Sequence, residues 1–299
     1  MKRYCLYLFI LIGISCSAEL KAQKNGTVYK GNDPAVRYTG RTLVSPDGSV
    51  AFDWVGTYLE TRFTGGKLSV KVSETGTSYY NVFVDGKLHK VVKVCGTDTL
   101  IHLVSGIDKR IHSLKIQKRS EGEFGKTTVH QFVLSGSGRL AEEPAVRTRH
   151  IEFIGNSLTC GYGTDGKHRD EPFLVETENC NLTFASMVAR YYDADYTLIA
   201  HSGRGAARNY GDSVRVSKVT MKDRMLNTFD EDLTHKWNFK EYRPDLVVIN
   251  LGSNDFSTEP HPYKSEFTKA YKQILAQLRE HYGDIPILCI YPVAMQAPV

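Results

Sequence analysis

Three short stretches of small and polar residues carry the groups that could do chemistry. Gly155-Asn156-Ser157, His201-Ser202-Gly203-Arg204-Gly205 and Gly252-Ser253-Asn254-Asp255 each follow an apolar, β-branched run. A serine at the end of such a run is either an N-cap for the next helix or a nucleophile. As a nucleophile, Ser157 would attack an ester carbonyl, and the oxyanion that forms needs fixed donors. The Ser157 N–H lies next to the point of attack. A glycine N–H of the second stretch can approach because no side chain intervenes, and the Asn254 amide can add a third donor. Alone, Ser157 reads as a cap and Asn254-Asp255 as a turn pair. Taken together, the three stretches read as a serine ester-hydrolysis site, with Asp255 fixing its loop rather than reacting.

Other chemistries fit less well. Gly161 to Lys167 spells G-x-x-x-x-G-K, but His168 replaces the Ser or Thr that would hold magnesium in a phosphate loop. Gly203 to Arg208 resembles a dinucleotide loop, with Arg208 where the third glycine is needed. An α/β-hydrolase elbow would need glycine at 159, and the chain has Thr159. Cys95, Cys160, Cys180 and Cys289 have no metal-ligand spacing, so neither metal nor cofactor is expected. Cys160 and Cys180 read equally as a bridge across a loop or as two buried thiols.

The elements that must position these stretches fall into two groups. Residues 36–138 alternate apolar and polar in many short runs, and Asp85-Gly86 marks a hairpin. An N-terminal all-β sandwich, jelly-roll-like, is expected over 23–140, with Trp54 in its core. Pro144 lies in a polar linker. Beyond it, 151–155, 196–200, 245–252 and 285–293 read as strands buried on both faces. Helical periodicity occupies 182–192 and 267–278. Alternation of strand and helix predicts an α/β, doubly wound parallel-sheet domain over 150–299. Ligands bind such sheets beyond the carboxyl ends of the strands, where all three stretches fall.

These blocks resemble the SGNH (GDSL-like) hydrolases. More narrowly, "IEFIGNSLTCGYG", "ETEN", "LIAHSGRGAARNY" and "PDLVVINLGSNDFS" resemble family two of the carbohydrate esterases, bacterial acetyl esterases of plant polysaccharides. "DWVGTYLETRF" and "YYNVFVDG" resemble that family's N-terminal sandwich. The resemblance implies deacetylation of hemicellulose such as xylan or glucomannan through an acyl-serine, with Ser157, Asn254 and a loop glycine in catalysis. That glycine is Gly205 or Gly203, and the reading leans to Gly205. It also implies a general base from a late D-x-x-H block, which these 299 residues do not contain. His261 in "TEPHPYK" lies on the correct edge but is a poor substitute, and His168 and His235 are poorer. The chain is therefore expected to be truncated before its base, impaired in turnover and poorly soluble. His201 reads as structural.

Composition sets the remaining bounds. The formal charge is +5 with no arginine-rich stripe, so nucleic acid is not implied. Lys2 and Arg3 followed by an apolar stretch from Cys5 to Ile14 read as a signal peptide over residues 1–22. Cys16 is an alternative lipid-anchored first residue. A secreted or periplasmic protein without a membrane span is expected, whose partner is an acetylated polysaccharide or oligosaccharide. Two rival readings are a non-catalytic carbohydrate-binding protein, with Trp237 stacking on sugar or merely packing in the core, and an SGNH esterase of lipid or peptidoglycan esters.

Overall fold

The computed structural model describes residues 26–142 and 145–291. The expected signal peptide, Cys16 and Pro144 lie outside them. Ten antiparallel strands come first: β1 (Gly26–Lys30), β2 (Val36–Thr39), β3 (Leu43–Val44), β4 (Val50–Phe52), β5 (Tyr58–Glu74), β6 (Thr77–Val84), β7 (Lys87–Cys95), β8 (Thr99–Lys118), β9 (Thr127–Ser135) and β10 (Arg139–Leu140). Between Thr64 and Ser69 the pairing of β5 with β8 slips repeatedly. The first half of β5 pairs with β2 and β10, the second with β9. Bulges bend a strand and increase its twist, so the sheet wraps around one core containing Phe52, Phe63, Leu68, Val82, Leu103, Phe132 and Leu134. Asp85 and Gly86 both take positive φ, 50° and 75°, as a two-residue hairpin requires. They join β6 to β7 with Val84 opposite Lys87.

Four parallel strands follow, in the order β12 (Asp195–Ala200), β11 (His150–Gly155), β13 (Leu246–Ile249), β14 (Ile287–Cys289). Their Phe153, Ile154, Leu198, Ile199, Val247 and Ile249 are buried, as expected of strands covered on both faces. Among the described residues four α-helices accompany them: α1 (Ser157–Cys160), α2 (Phe184–Tyr191), α3 (Met221–Arg224) and α4 (Lys264–Tyr282). Helix α4 buries Ala270, Ile274, Leu278 and Tyr282, one residue per turn on a single face. The Glu266 carboxylate accepts the Tyr263 N–H at 2.7 Å and closes its first turn. Among the described residues no helix is long and apolar enough to cross a membrane.

The two halves share buried structure. Trp54 is core, but of the other half: it packs with Ile154, Ile199, Met221 and Ile274 rather than inside the β-sandwich. Its alternation with Phe52 and Val50 stops at Asp53, where the chain leaves β4. The Asp53 carboxylate then accepts the backbone N–H groups of Asp230 and Glu231 at 2.8 and 3.2 Å. Arg41, also fully buried, donates to the carbonyls of Met225 and Asn227.

Candidate active site

At the end of β11 the chain turns at Gly155 directly into α1. A methyl group there would stand 2.0 Å from Thr159 Oγ1, so only glycine lets helix and strand approach this closely. The helix is capped by Asn156, whose Oδ1 accepts the Leu158 N–H at 3.2 Å. Ser157 is thus relieved of the capping role and occupies the first helical position, partly exposed. Its carbonyl accepts the N–H groups of Gly161 and Tyr162 at 2.9 and 3.2 Å.

The other two loops are tied to this one. Asn156 Nδ2 donates to Ser253 Oγ at 3.0 Å, joining the loops after β11 and β13. Asn254 is buried, and its Nδ2 donates to the Arg204 carbonyl at 2.8 Å, which fixes the amide and leaves its second hydrogen for a ligand. Asp255 binds the loop after β12 with its whole carboxylate. Oδ2 accepts from Ala206 N at 3.0 Å, and Oδ1 from Ala207 N at 2.7 Å and Arg208 N at 2.9 Å. The three stretches therefore converge at one edge of the sheet, with Asp255 as the fastening.

The geometry sorts the two glycines, against the leaning of the sequence. Gly205 is buried, and its N–H points at Asn209 Oδ1 at 3.4 Å. A Cβ on it would stand 2.0 Å from the Arg208 carbonyl and 2.4 Å from Asp255 Oδ2. Gly205 is glycine because the fastening presses against its backbone. Gly203 has φ +74°, is partly exposed, and its N–H has no acceptor among the described residues. A Cβ there would touch only Tyr210, at 3.9 Å.

The same contacts dispose of the phosphate loops. The N–H groups of 206–208 that would cradle a pyrophosphate already hold the Asp255 carboxylate. Gly161 ends α1 in the left-handed conformation rather than opening a helix. Cys160 and Cys180 are separate, buried thiols, so the bridge is not formed. Burial pushes the Cys160 thiol well up, which keeps it protonated and inert.

Beneath the loops lies a buried charged layer that the sequence reading missed. Glu121, from the turn between β8 and β9, accepts the Ser202 N–H at 2.6 Å and the Cys160 thiol at 3.6 Å through one oxygen. Its own N–H donates to Glu178 Oε2 at 2.9 Å. Both carboxyls are fully buried, and burial raises both, Glu178 further because of the Glu121 charge. His201 Nδ1 meets Asp230 Oδ2 at 2.7 Å. Burial opposes its charge, but the carboxylates of Asp230 and Glu121 outweigh this and raise it. Among the described residues three triads bring ligand-type atoms within 4.8 Å: Glu121 with Cys160 and Glu178, Glu121 with Glu123 and His201, and His201 with Asp230 and Glu231. Glu121 Oε2 holds the Ser202 N–H and His201 Nδ1 meets Asp230, so the layer supports the loop after β12. "IHSLKIQKRS" (111–120) reads as a strand, and nothing in it or in the residues that follow shows that the partners of Glu121 come from the other half of the chain.

The remaining candidates stand apart. His261 lies beside Glu259 and Phe256, His235 pairs with Asp232 at 2.6 Å, and His168 lines a small cleft. None of the described histidines hydrogen-bonds Ser157. Trp237 is buried near His150 and Asp195, at the opposite edge of the sheet, with the Arg41 guanidinium 5.4 Å from its ring centre.

Comparison with known proteins gives the chain a setting. The family described as "Carbohydrate esterase 2 N-terminal" matches residues 38–144, and "GDSL-like Lipase/Acylhydrolase family" matches 153–299. "Cellulase/esterase CelE" of Acetivibrio thermocellus is 34% identical over 258 residues, which are 86% of this chain and 31% of that protein. An "Acetylxylan esterase / glucomannan deacetylase" of Cellvibrio japonicus is 33% identical over 73% of this chain and 61% of its own length. The chain thus spans less than two thirds of either relative. Among solved structures, a family two carbohydrate esterase from Clostridium thermocellum, in complex with cellohexaose, superposes with a TM-score of 0.81 at 34% identity, over 86% of this chain and 77% of that one. A salicylyl-acyltransferase, SsfX3, at 14% identity and a TM-score of 0.56, shares the fold alone.

Proposed function

Because the chain belongs to family two of the carbohydrate esterases, we propose that it is an exported enzyme that removes acetyl groups from hemicellulose-type polysaccharide through Ser157. The observation that carries this reading is the convergence of Ser157, the Gly203 N–H and the Asn254 amide on one sheet edge. The Ser157 hydroxyl oxygen bonds to the acetyl carbon and its proton passes to a general base, a histidine by family resemblance. The negative charge that develops on the carbonyl oxygen is received by three donors: the N–H groups of Ser157 and Gly203 and the free hydrogen of Asn254 Nδ2. The sugar oxygen leaves with a proton. Water then attacks the acetyl-serine and releases acetate, restoring the hydroxyl.

Two features support Gly203 over Gly205 as the donor. The Gly203 N–H is free where that of Gly205 faces Asn209, and Gly203 is adjacent to Ser202, which Glu121 holds in place. Tyr210, exposed and tied by its N–H to the Gly203 carbonyl at 2.8 Å, offers a sugar an aromatic face beside the donor. The test is acetate release from acetylated xylan and glucomannan, with free imidazole added as a proton acceptor. Release that disappears in Ser157→Ala supports the reading. Equal release by the variant overturns it, as would preference for long-chain lipid esters over acetyl esters.

A further inference from the structure

A cleft of about 320 Å³ opens beside α1, lined by Tyr162, His168, Arg169, Glu171 and Phe173 among others. It is formed by the loop from Gly161 to Glu178, whose phosphate-loop-like glycines and lysine serve none of the chemistry described above. Its most ordered element is a stack of three aromatic rings. Tyr162 lies face to face on Phe173, with centroids 3.6 Å apart and planes at 11°, and Phe173 in turn meets Phe124 at 5.7 Å. Phe124 belongs to the turn between β8 and β9, so the stack is anchored in the β-sandwich half.

Tyr162 is also fastened to the nucleophile. Its N–H donates to the Ser157 carbonyl at 3.2 Å, so ring and hydroxyl belong to one rigid segment. Its ring is held against Phe173, and through Phe173 it meets Phe124 of the turn that also carries Glu121, the residue holding the Ser202 N–H. Yet Tyr162 as a residue is 48% exposed. Phe173 is the one aromatic ring stacked on it among the described residues, and about half of Tyr162 is left to solvent. A large aromatic ring held flat and left open has its ordering cost met before any ligand arrives. The lining beyond it is polar and includes His168, Arg169 and Glu171.

We propose that Tyr162 and this cleft form a subsite for a neutral pyranose unit next to the acetylated one, the sugar's C–H face lying on the open face of Tyr162 and its hydroxyls meeting the polar rim. The inference rests on the carbohydrate-esterase reading and adds to it where the main chain of the polymer runs: from Ser157 along α1 toward residues 166–173. An uncharged ring fits because the rim mixes basic and acidic groups, and a pyranose presents an apolar face with polar edges, matching an aromatic floor with a polar border.

The test is calorimetric titration with unacetylated xylohexaose and cellohexaose, so that affinity is read apart from turnover. Wild type is compared with Tyr162→Ala, Tyr162→Phe and Tyr162→Trp, with urea unfolding of each. A stacking contact is expected to be worth about 3- to 10-fold in affinity. Tyr162→Ala should lose that much, while Phe and Trp, which keep an aromatic face, should bind within about 2-fold of wild type or tighter. Equal affinity of Tyr162→Ala and wild type would overturn the subsite. So would an equal loss in all three variants, which would mark Tyr162 as a support for its loop. A wild-type chain that binds neither hexaose but still releases acetate in a Ser157-dependent way would refute the subsite and leave the esterase reading intact. Absence of both would refute the two together.

Discussion

Replacing Asp255 should do more damage than replacing any other single side chain of the three loops. Its carboxylate accepts three successive backbone N–H groups at 2.7–3.0 Å, all buried. Each such bond to a charged acceptor contributes about 1.5–3 kcal/mol, and each buried donor left without a partner costs about 1–3 kcal/mol. These terms overlap, and burying the carboxylate has its own cost, so Asp255→Ala should lose about 3–5 kcal/mol. Asp255→Asn is the sharper probe. Its amide oxygen can still serve Ala207 and Arg208 from the Oδ1 position, but the amide nitrogen then faces the Ala206 N–H, donor against donor. One bond is lost rather than three, and a loss of about 1–3 kcal/mol is expected. The assay is urea unfolding with the slope held common, followed by acetate release from the folded variants. Because Asp255 fixes the loop carrying Gly203 and adjoins Asn254, activity should fall in the same order, alanine below asparagine below wild type. An Asp255→Ala chain as stable as wild type, or an asparagine variant as damaged as the alanine one, would refute the fastening argument.

Further outcomes follow from the same geometry. Gly203→Ala keeps the backbone N–H and should fold, at a strain of about 1–2 kcal/mol for a left-handed residue, so its kcat should fall by less than the roughly 10²–10³-fold that follows outright loss of an oxyanion donor. Gly205→Ala should instead lower the urea midpoint sharply, since its Cβ meets the Arg208 carbonyl at 2.0 Å. Glu121→Ala leaves the Ser202 N–H unpartnered and should cost about 1–3 kcal/mol in unfolding experiments. Lys115, with its amine 3.6 Å from the Tyr58 ring centre, is pushed by burial from the ordinary 10.5 down to about 8. Between those values the unfolded chain holds more protons than the folded one, so wild-type stability gains with rising pH there. Lys115→Met should therefore stabilise by on the order of 3 kcal/mol below about pH 8, and the advantage should fade as the pH approaches 10.5. Urea midpoints of both chains across that range check it.

The parts of this molecule governed by local rules were readable in the sequence. Asp85-Gly86 is a hairpin because two consecutive left-handed residues fit few other turns. The strands around Phe153, Leu198 and Val248 are buried on both faces, and α4 keeps its period from Phe267 to Leu278. The three loops fell on one edge because parallel strands deliver their ends to the same side. What depended on distant partners was hidden. Trp54 continues a strand pattern, and nothing in its neighbourhood says that the pattern ends in the other half's core. Lys118, Arg119 and Glu121 lie at and just beyond the end of a strand pattern, and their charges find partners only when Ser78, Asp165, Ser202 and Glu178 are brought to them. The choice between Gly203 and Gly205 turned on the φ of one and on what presses against the other, and neither leaves a mark in the string of letters. The capping alternative for Ser157 failed for a similarly small reason: Asn156, one residue earlier, holds the position.

The most direct measurement is the mass of the protein after brief exposure to p-nitrophenyl acetate with free imidazole, followed by acid quenching and peptide mapping. One acetyl group on Ser157, absent in Ser157→Ala and sharply reduced in Asn254→Ala, is the predicted result. Acetylation that spares Ser157 while marking surface lysines, or that is equally strong without Asn254, would contradict a shared acyl-binding site built from these loops.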